Sequence, residues 1–296
     1  MTAADRPHVV AVGGGHGLAA TLRAVTTYAG RTTAVVATAD DGGSTGRLRE
    51  GLGMPAPGDL RRCIEALAPD GAGALPGALD YRFAGTDVEG HALGNLLLAG
   101  LHATTGDFVH AVDELSSLVG LDLAVRRVLP ATVDPVVLRA EVAGGACVTG
   151  QVVIARTDGI DRVAVDPADA AVPDDVAAAL EQADQVVLGP GSLYTSVLAA
   201  VVPDGVRDAL KRARGRRVYV CNVRAESGET RGYDVADHVA ALRRHGVEPD
   251  VVVAQRGALA LGADPGVAVV EAEVVRPHGL AHDPDLLGSL LAGLVG

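Results

Sequence analysis

The feature that most constrains this chain is an apolar run that breaks into a cluster of glycines and continues as an amphipathic segment. Residues 9–12 are small or β-branched, the glycine-rich turn follows at 13–17, and apolar side chains then recur at helical spacing from Leu18 to Ala29. This pattern predicts a strand, a tight turn and a helix. A second apolar run at 33–39 ends at Asp40, so we expect a right-handed βαβ unit and a parallel sheet.

The same alternation of strand and helix patterns continues along the chain, with one interruption. Helices are predicted from Asp59 and from His91, and strands at 186–188, 218–223, 251–253 and 267–274. Between about residues 128 and 165, short alternating runs separated by glycines predict an antiparallel β-hairpin insertion. Because no linker divides the chain, the sequence predicts one α/β domain over 1–296 with a mostly parallel sheet.

Composition excludes several classes of function. Apolar residues make up 48% of the chain, which supports a core and argues against disorder. The net charge is −12 and no basic run occurs, so nucleic acid and anionic membranes are not expected partners. Residues 1–7 lack the features of a signal peptide and no stretch is long and apolar enough to span a membrane. We therefore expect a cytoplasmic protein.

The cysteines and histidines are too scattered to suggest a metal or redox site. Cys63, Cys147 and Cys221 are far apart in sequence, and this spacing favours reduced, mostly buried thiols. The histidines do not occur in the spacings of zinc sites. The sequence therefore predicts no metal, and no cofactor is firmly indicated.

In an open parallel sheet, ligands bind outside the carboxyl ends of the strands. The first glycine turn stands at such an end, where missing side chains let the backbone approach a phosphate and the next helix presents free N–H groups. It is neither a P-loop nor a complete dinucleotide motif, because Leu18 replaces the third glycine. The predicted ligand-binding residues of this turn are Gly13, Gly14, Gly15, His16 and Gly17.

A second candidate segment follows the second predicted strand. Asp40 stands where dinucleotide-binding folds place an acid against a ribose diol, and Asp41 is suited to a metal, although a plain Asp-Gly turn is an equal alternative. Arg47 or Arg49 is suited to clamp a phosphate. The candidates here are Asp40, Asp41, Gly42, Gly43, Ser44 and Arg47.

Two predicted helix starts carry further candidates. Gly58, Asp59 and Arg61 open one helix, where Asp59 is equally well interpreted as an N-cap. His91 and Asn95 lie at the start of the next, where a capping histidine is the alternative. These residues gain a functional interpretation only from the motifs around them.

The strongest local pattern joins the strand at 186–188 to the following helix. It offers backbone N–H groups, hydroxyls and a tyrosine ring for stacking. It lacks the G-x-S-x-G of a nucleophile elbow, so hydrolase chemistry is not favoured. Its candidate ligand-binding residues are Gly189, Gly191, Ser192, Tyr194 and Thr195.

Six ordered motifs together resemble the YvcK-type gluconeogenesis factor family within the CofD-like superfamily. They lie at 13–18, 39–49, 57–61, 90–95, 188–196 and 221–223, and the last adds Asn222 to the candidates. The resemblance runs from about Val9 to His245. It implies a Rossmann-like three-layer fold in a cytosolic protein that binds a nucleotide sugar such as UDP-N-acetylglucosamine.

The resemblance also implies a role in cell shape and envelope synthesis during growth on gluconeogenic carbon, with protein partners in that process. The sequence leaves a homo-oligomer open. We expect a regulatory binding protein in which the two glycine turns hold phosphates, Asp40 meets the ribose and Arg47 neutralises charge. The alternative is a CofD-like 2-phospholactate transferase that uses Asp40, Asp41 and Asp59 around Mg²⁺.

Three departures from the family pattern bear on the ligand. His16 replaces a threonine in the first turn, Ala281 stands where relatives carry an arginine, and residues 258–265 lack a tyrosine. Because Ala281 supplies no guanidinium, we expect nucleotide-sugar binding to be weakened. An NAD-dependent oxidoreductase is disfavoured by the missing third glycine.

Overall fold

The computed structural model describes residues 6–85, 87–277, 279 and 281–296. Residues 1–5, on which the signal-peptide expectation partly rests, lie outside these ranges. The strands of the described residues are β1 (His8–Gly13), β2 (Arg31–Val36), β3 (Arg126–Pro130), β4 (Val137–Val142), β5 (Cys147–Thr149), β6 (Ile160–Asp166), β7 (Gln185–Leu188), β8 (Arg216–Val220), β9 (Val251–Gln255) and β10 (Ala268–Ala272).

The helices of the same ranges surround these strands. They are α1 (Gly15–Val25), α2 (Gly43–Leu52), α3 (Gly58–Leu67), α4 (Leu75–Leu79), α5 (Leu93–Thr105), α6 (Phe108–Leu118), α7 (Gln151–Ile154), α8 (Asp174–Glu181), a π-helix (Leu193–Leu198) that continues into α9 (Ala199–Val201), α10 (Asp204–Arg212), α11 (Val235–Arg244) and α12 (Pro284–Ala292). No helix among the described residues has the length and apolarity needed to cross a membrane.

Seven of the strands form one parallel sheet in the order β10-β9-β8-β7-β1-β2-β3. The βαβ unit predicted for the first forty residues is confirmed, because β1 and β2 pair in parallel with His8 opposite Arg31. Strand order reverses between β1 and β7, which are direct neighbours although far apart in the chain. This is the switch point of an open α/β sheet, where a crevice opens outside the carboxyl ends of the strands.

Helices cover both faces of the sheet, so the strands consist of apolar residues on both sides. On one face, Val10 and Val12 of β1 pack into a core with α8, α10 and α11. On the other, Ala11 packs with α1, α3, α5 and α6, and Val9 packs with α1 and α12. The predicted Rossmann-like three-layer α/β fold is confirmed.

A small antiparallel sheet, in the order β5-β4-β6, forms the predicted insertion. It spans 137–166, so the insertion starts later than expected from the sequence. Val128 instead belongs to β3, a parallel edge strand of the main sheet, because a short apolar run has the same local pattern in either sheet. The insertion docks through the Val163 N–H, which donates to Nε2 of His245 over 2.9 Å.

At the switch point the backbones of two turns lie so close together that no side chain fits between them. A Cβ built on Gly17 of α1 would lie 2.2 Å from the carbonyl oxygen of Pro190 in the turn after β7. Only glycine fits here, because the opposing atom belongs to backbone that no rotamer change can move. The close approach holds the start of α1 against the β7 turn.

We predict that Gly17→Ala lowers the free energy of unfolding by about 1–3 kcal/mol, because the added methyl forces the two turns apart. The control is Gly51→Ala in α2, where a Cβ would meet no atom within 4 Å. That variant should gain about 0.5–1 kcal/mol through helix propensity. Urea denaturation measures both, and equal effects of the two substitutions would contradict the proposed contact.

Candidate functional site

The two glycine turns predicted to hold phosphates lie side by side at the switch point. Gly13–Gly17 follows β1, and Gly189–Ser192 follows β7. Ser196 of the π-helix faces the first turn, since its Cβ would lie 3.5 Å from a Cβ built on Gly14. The fold therefore brings together two motifs that are about 175 residues apart in the sequence.

Asp59 does not cap its own helix, whose N-cap is Pro57. Its Oδ2 instead accepts a hydrogen bond of 2.7 Å from the N–H of Gly15, and its Oδ1 accepts one of 2.6 Å from Arg62. A carboxylate thus occupies the positive end of α1, where a phosphate was expected. The close approach also accounts for Gly14, on which a Cβ would lie 2.6 Å from Asp59 Oδ2.

The three aspartates of the transferase alternative do not converge. Oδ1 of Asp40 accepts from the N–H of Gly42 at 2.9 Å, and burial raises the pKa of this carboxyl, with the negative charge of Asp59 adding to the shift. Asp41 turns towards the insertion, where its Oδ1 accepts from the N–H of Val152 at 3.0 Å. Within the described ranges no three His, Cys, Asp or Glu side chains form a group that could hold a metal ion. Asp41 is thus engaged by the insertion, whereas the charge of Asp59 acts on the carboxyl of Asp40.

Four further candidates form one hydrogen-bond network between α2, α3 and α5. Ser44 Oγ lies 3.0 Å from His91 Nδ1 and accepts from Asn95 Nδ2 at 3.2 Å, and Arg61 Nε donates to Asn95 Oδ1 at 3.2 Å. The structure brings these four residues together, and their role as ligand contacts stays a prediction. Their polar atoms, however, are largely bonded to one another, so the network positions the helices beside the crevice.

The guanidinium of Arg61 forms ion pairs with two carboxylates. Arg61 is 1% exposed, and its Nη1 lies 2.5 Å from Glu65 and 2.7 Å from Asp80. Removing either carboxylate would be costly, because it would leave the buried guanidinium without a compensating charge. Arg61 therefore supports α3 and α4 and has no free face for a ligand.

Arg47 and Arg49 differ in what they contact. Nη2 of Arg49 donates to the carbonyl of Val136 over 2.6 Å, and its Nη1 reaches the carbonyls of Ala39 and Asp40 at 3.3–3.4 Å. Arg47 is exposed, and among the described residues it donates to the carbonyl of Glu89 alone, at 2.8 Å. Arg47 is thus the more available cation, whereas Arg49 fastens α2 to the end of β2.

Acceptors from the segment after β8 bind the second glycine turn. The N–H of Gly191 donates to Oδ1 of Asn222 at 3.0 Å, and Ser192 Oγ donates to Glu226 at 2.9 Å. The N–H of Thr195 donates to Glu229 at 3.0 Å. The sequence analysis missed both glutamates, because nothing in their local pattern shows which turn they meet.

Tyr194 is not the stacking platform expected from the sequence. Its ring is fully buried, and its hydroxyl donates to the carbonyl of Ile160 in the insertion at 3.0 Å. Burial and the neighbouring Tyr233 raise the pKa of this phenol. Tyr194 therefore links the π-helix to the small sheet and presents no face to the crevice.

A cleft of about 180 Å³ opens between the two glycine turns and the end of β8. It is lined by His16, Gly17, Gly191, Asn222, Arg224, Ala281 and His282, among others. Arg224 also lines a neighbouring cavity of about 670 Å³ that extends past β9 and β10. We call these two joined spaces the switch-point cleft.

His282 is the buried group of this cleft that lacks a partner. It is 8% exposed, and within the described residues its Nε2 makes no hydrogen bond. Burial lowers its pKa to about 4, so the ring is neutral, while a backbone hydrogen bond to Cys221 opposes the shift. An unpaired buried nitrogen is costly unless a ligand completes it. Arg224, Glu226 and His282 are charged or titratable residues of the cleft that were not predicted from the sequence.

The thiol of Cys221 is not suited to act as a nucleophile. The side chain is buried, and burial raises the pKa of its thiol to about 12. At neutral pH the group is a thiol, which is a poor nucleophile. Its position beside the cleft therefore serves packing, as the sequence suggested.

Comparison with known proteins gives concordant matches. The chain matches the family described as 2-phospho-L-lactate transferase CofD over residues 9–276. The gluconeogenesis factor of Halalkalibacterium halodurans is 41% identical over 84% of this chain and 77% of that protein. A relative from Thermoanaerobacterium thermosulfurigenes, which bears the same name provisionally, is 34% identical over 98% of this chain and 97% of its own.

The fold also matches a solved structure over nearly its whole length. The crystal structure of a UPF0052 family member from Bacillus halodurans superposes with a TM-score of 0.90 at 33% identity. The match covers 97% of this chain and 99% of that one. The similarity therefore includes both the main sheet and the insertion.

We predict that His282 makes stability fall with acidification. Its folded-state pKa of about 4 lies below the ordinary 6.5, so the unfolded chain takes up the proton first as the pH falls below 6.5. The resulting loss in unfolding free energy approaches about 3 kcal/mol by pH 4. His282→Gln should lack this contribution, so the stability difference between wild type and variant should change across urea titrations at pH 7.5, 5.5 and 4.5. A difference that is constant with pH would contradict the buried, neutral histidine.

Proposed function

Because this chain belongs to the YvcK-type gluconeogenesis factor family of the CofD-like superfamily, we propose that it binds a nucleotide sugar at the switch point and acts as a regulatory binding protein. The ligand class is UDP-N-acetylglucosamine or a close analogue. The cellular role is control of cell shape and envelope synthesis on gluconeogenic carbon, exercised in the cytoplasm through protein partners.

The observation that carries the proposal is the switch-point cleft with the unpaired nitrogen of His282. Neutral His282 supplies a hydrogen-bonding nitrogen, and Arg224 supplies a positive charge with no hydrogen bond or ion pair among the described residues. The diphosphate lies between His16, Gly191 and Arg224, because Asp59 already occupies the N–H of Gly15. The adjoining cavity of about 670 Å³ is within the size range of small-molecule sites.

Two of the other predicted residues belong to the segment that follows β2 and are not in the lining of the switch-point cleft. Asp40 remains our proposal for the ribose contact. Arg47 is exposed in the middle of α2 and neutralises charge from that side. In this arrangement the ligand lies along the carboxyl edge of the sheet and crosses the switch point.

We predict that UDP-N-acetylglucosamine raises the melting temperature. At a ligand concentration about 100 times its dissociation constant, linkage stabilises the folded state by roughly 2.7 kcal/mol, a shift of several degrees for a chain of this size. Free N-acetylglucosamine and NAD at equal concentration should give no shift. Ala281→Arg should enlarge the shift, since residue 281 lines the cleft. An unchanged melting curve with every uridine nucleotide sugar at millimolar concentration would end the proposal.

We predict that Arg224→Ala weakens nucleotide-sugar binding about 10- to 100-fold, the value of one charge-assisted hydrogen bond. Arg31→Ala, at the amino end of β2 and away from the crevice, is the matched control and should bind normally. Asp40→Asn should also weaken binding if the ligand crosses to the β2 side. Calorimetric titration measures the affinity of all three variants. Normal affinity in the Arg224 variant would show that the phosphate does not bind at Arg224.

The alternative is the transferase activity for which the matched family is described. It is favoured by the match over residues 9–276, whereas the hydrogen bond that turns Asp41 towards the insertion argues against a metal site that uses all three aspartates. Incubation with lactyl-diphospho-guanosine, a deazaflavin acceptor and Mg²⁺ decides between the two functions. Turnover would replace the regulatory proposal with the enzymatic one.

A further inference from the structure

A second cavity, of about 680 Å³, lies away from the glycine turns between the small sheet and the helices α10 and α11. We call it the basic groove. One wall carries Arg139 of β4 and Arg162 of β6, and the other carries Arg207 and Lys211 of α10, with Arg244 at the end of α11. Glu141 is the one acid in this lining.

This concentration of positive charge contrasts with the net charge of the whole chain, which is −12. Four of the five cations form ion pairs at the surface, which join Arg139 to Asp166, Arg207 to Asp204, Lys211 to Asp208 and Arg244 to Asp161. Such pairs contribute about 0–1 kcal/mol and exchange readily for a more highly charged partner.

Arg162 differs from the other cations because it forms no hydrogen bond or ion pair with any described residue. It is exposed and belongs to β6, opposite Glu141 of β4. A cavity lined mainly by positive charges, here five cations against Glu141, concentrates anions. The groove is therefore an anion site by charge as well as by shape.

The remaining lining limits what kind of anion fits. Ala140, Val163 and Val202 give a small aliphatic floor, and no Phe, Tyr or Trp lines the groove in the described part of the chain. The ring of His245 uses both nitrogens, since Nδ1 bonds the carbonyl of Ala241 at 2.7 Å and Nε2 accepts from Val163. Without a stacking surface, the groove does not suit a nucleobase.

We propose that the basic groove is a second ligand site, which binds a small non-aromatic molecule carrying two phosphate groups, such as a sugar bisphosphate. Cations on two facing walls match two anionic groups better than one. The volume lies within the 300–1,000 Å³ typical of small-molecule sites.

One contact connects this groove to the switch-point cleft. Nη2 of Arg244 donates to the hydroxyl of Tyr194 at 3.2 Å, and Tyr194 lies in the π-helix that directly follows the second glycine turn. An anion that draws Arg244 into the groove competes with this contact. Occupancy of the groove therefore alters nucleotide-sugar affinity, a consequence that rests on the proposed function.

The test is calorimetric titration of the full chain with glucose 1,6-bisphosphate in the absence of any nucleotide. We expect binding that falls at least tenfold in the double variant Arg162→Ala/Lys211→Ala and falls as ionic strength rises. Arg212→Ala is the matched control, because this arginine neighbours Lys211 on α10 and does not line the groove. Glucose 1-phosphate should bind at least tenfold more weakly than the bisphosphate.

Four results would overturn the proposal. The first is no binding to the unmodified protein at millimolar ligand, and the second is equal affinity in the double variant. The third is equal affinity for the monophosphate. The fourth is loss of binding in Arg224→Ala, which would show that the ligand binds in the switch-point cleft instead. Thermal melts of each variant establish that it is folded, and the single variant Arg162→Ala serves if the double variant is not. Since the titration contains no nucleotide, failure of nucleotide-sugar binding would leave this result unaffected.

Discussion

The close approach of two backbone segments at Gly17 and Pro190 sets the geometry on which the crevice depends. It fixes the distance between the turns after β1 and β7, the strands between which the chain reverses its direction across the sheet. If these turns were farther apart, Asn222 and the start of α1 would not border one cleft. The constraint is a steric contact with backbone atoms, so side-chain rearrangement cannot relieve it.

The hydrogen bond from Gly15 to Asp59 changes how the first glycine turn is understood. A glycine-rich turn at a helix N-terminus is ordinarily interpreted as an anion site open to a ligand. Here the protein provides the anion itself, from a helix that starts more than forty residues later. The free polar groups of the crevice therefore lie mostly on its other side, at Arg224 and His282.

Local patterns were sufficient to predict the parallel sheet apart from its edge strand β3, the glycine turns and the presence of the insertion, because each depends on periodicity within a dozen residues. They were insufficient for Tyr194, since a tyrosine that stacks on a ligand and one that bridges two sheets have the same neighbours in sequence. The direction of Asp41 is set by Val152 and that of Thr195 by Glu229, contacts that join distant segments. His282 was missed for the same reason, because its environment is created only when the chain end folds back beside β8.

The insertion leaves the main sheet after its edge strand β3 and rejoins it at the central strand β7. Its short helix α7 then touches both halves of the crevice, through Val152 to Asp41 and through Gln151 to the carbonyl of Thr195. Such a module can diverge in length and surface during evolution without disturbing the register of the seven strands. Descendants of one ancestral fold can thus acquire different surfaces beside the crevice while they keep the same switch point.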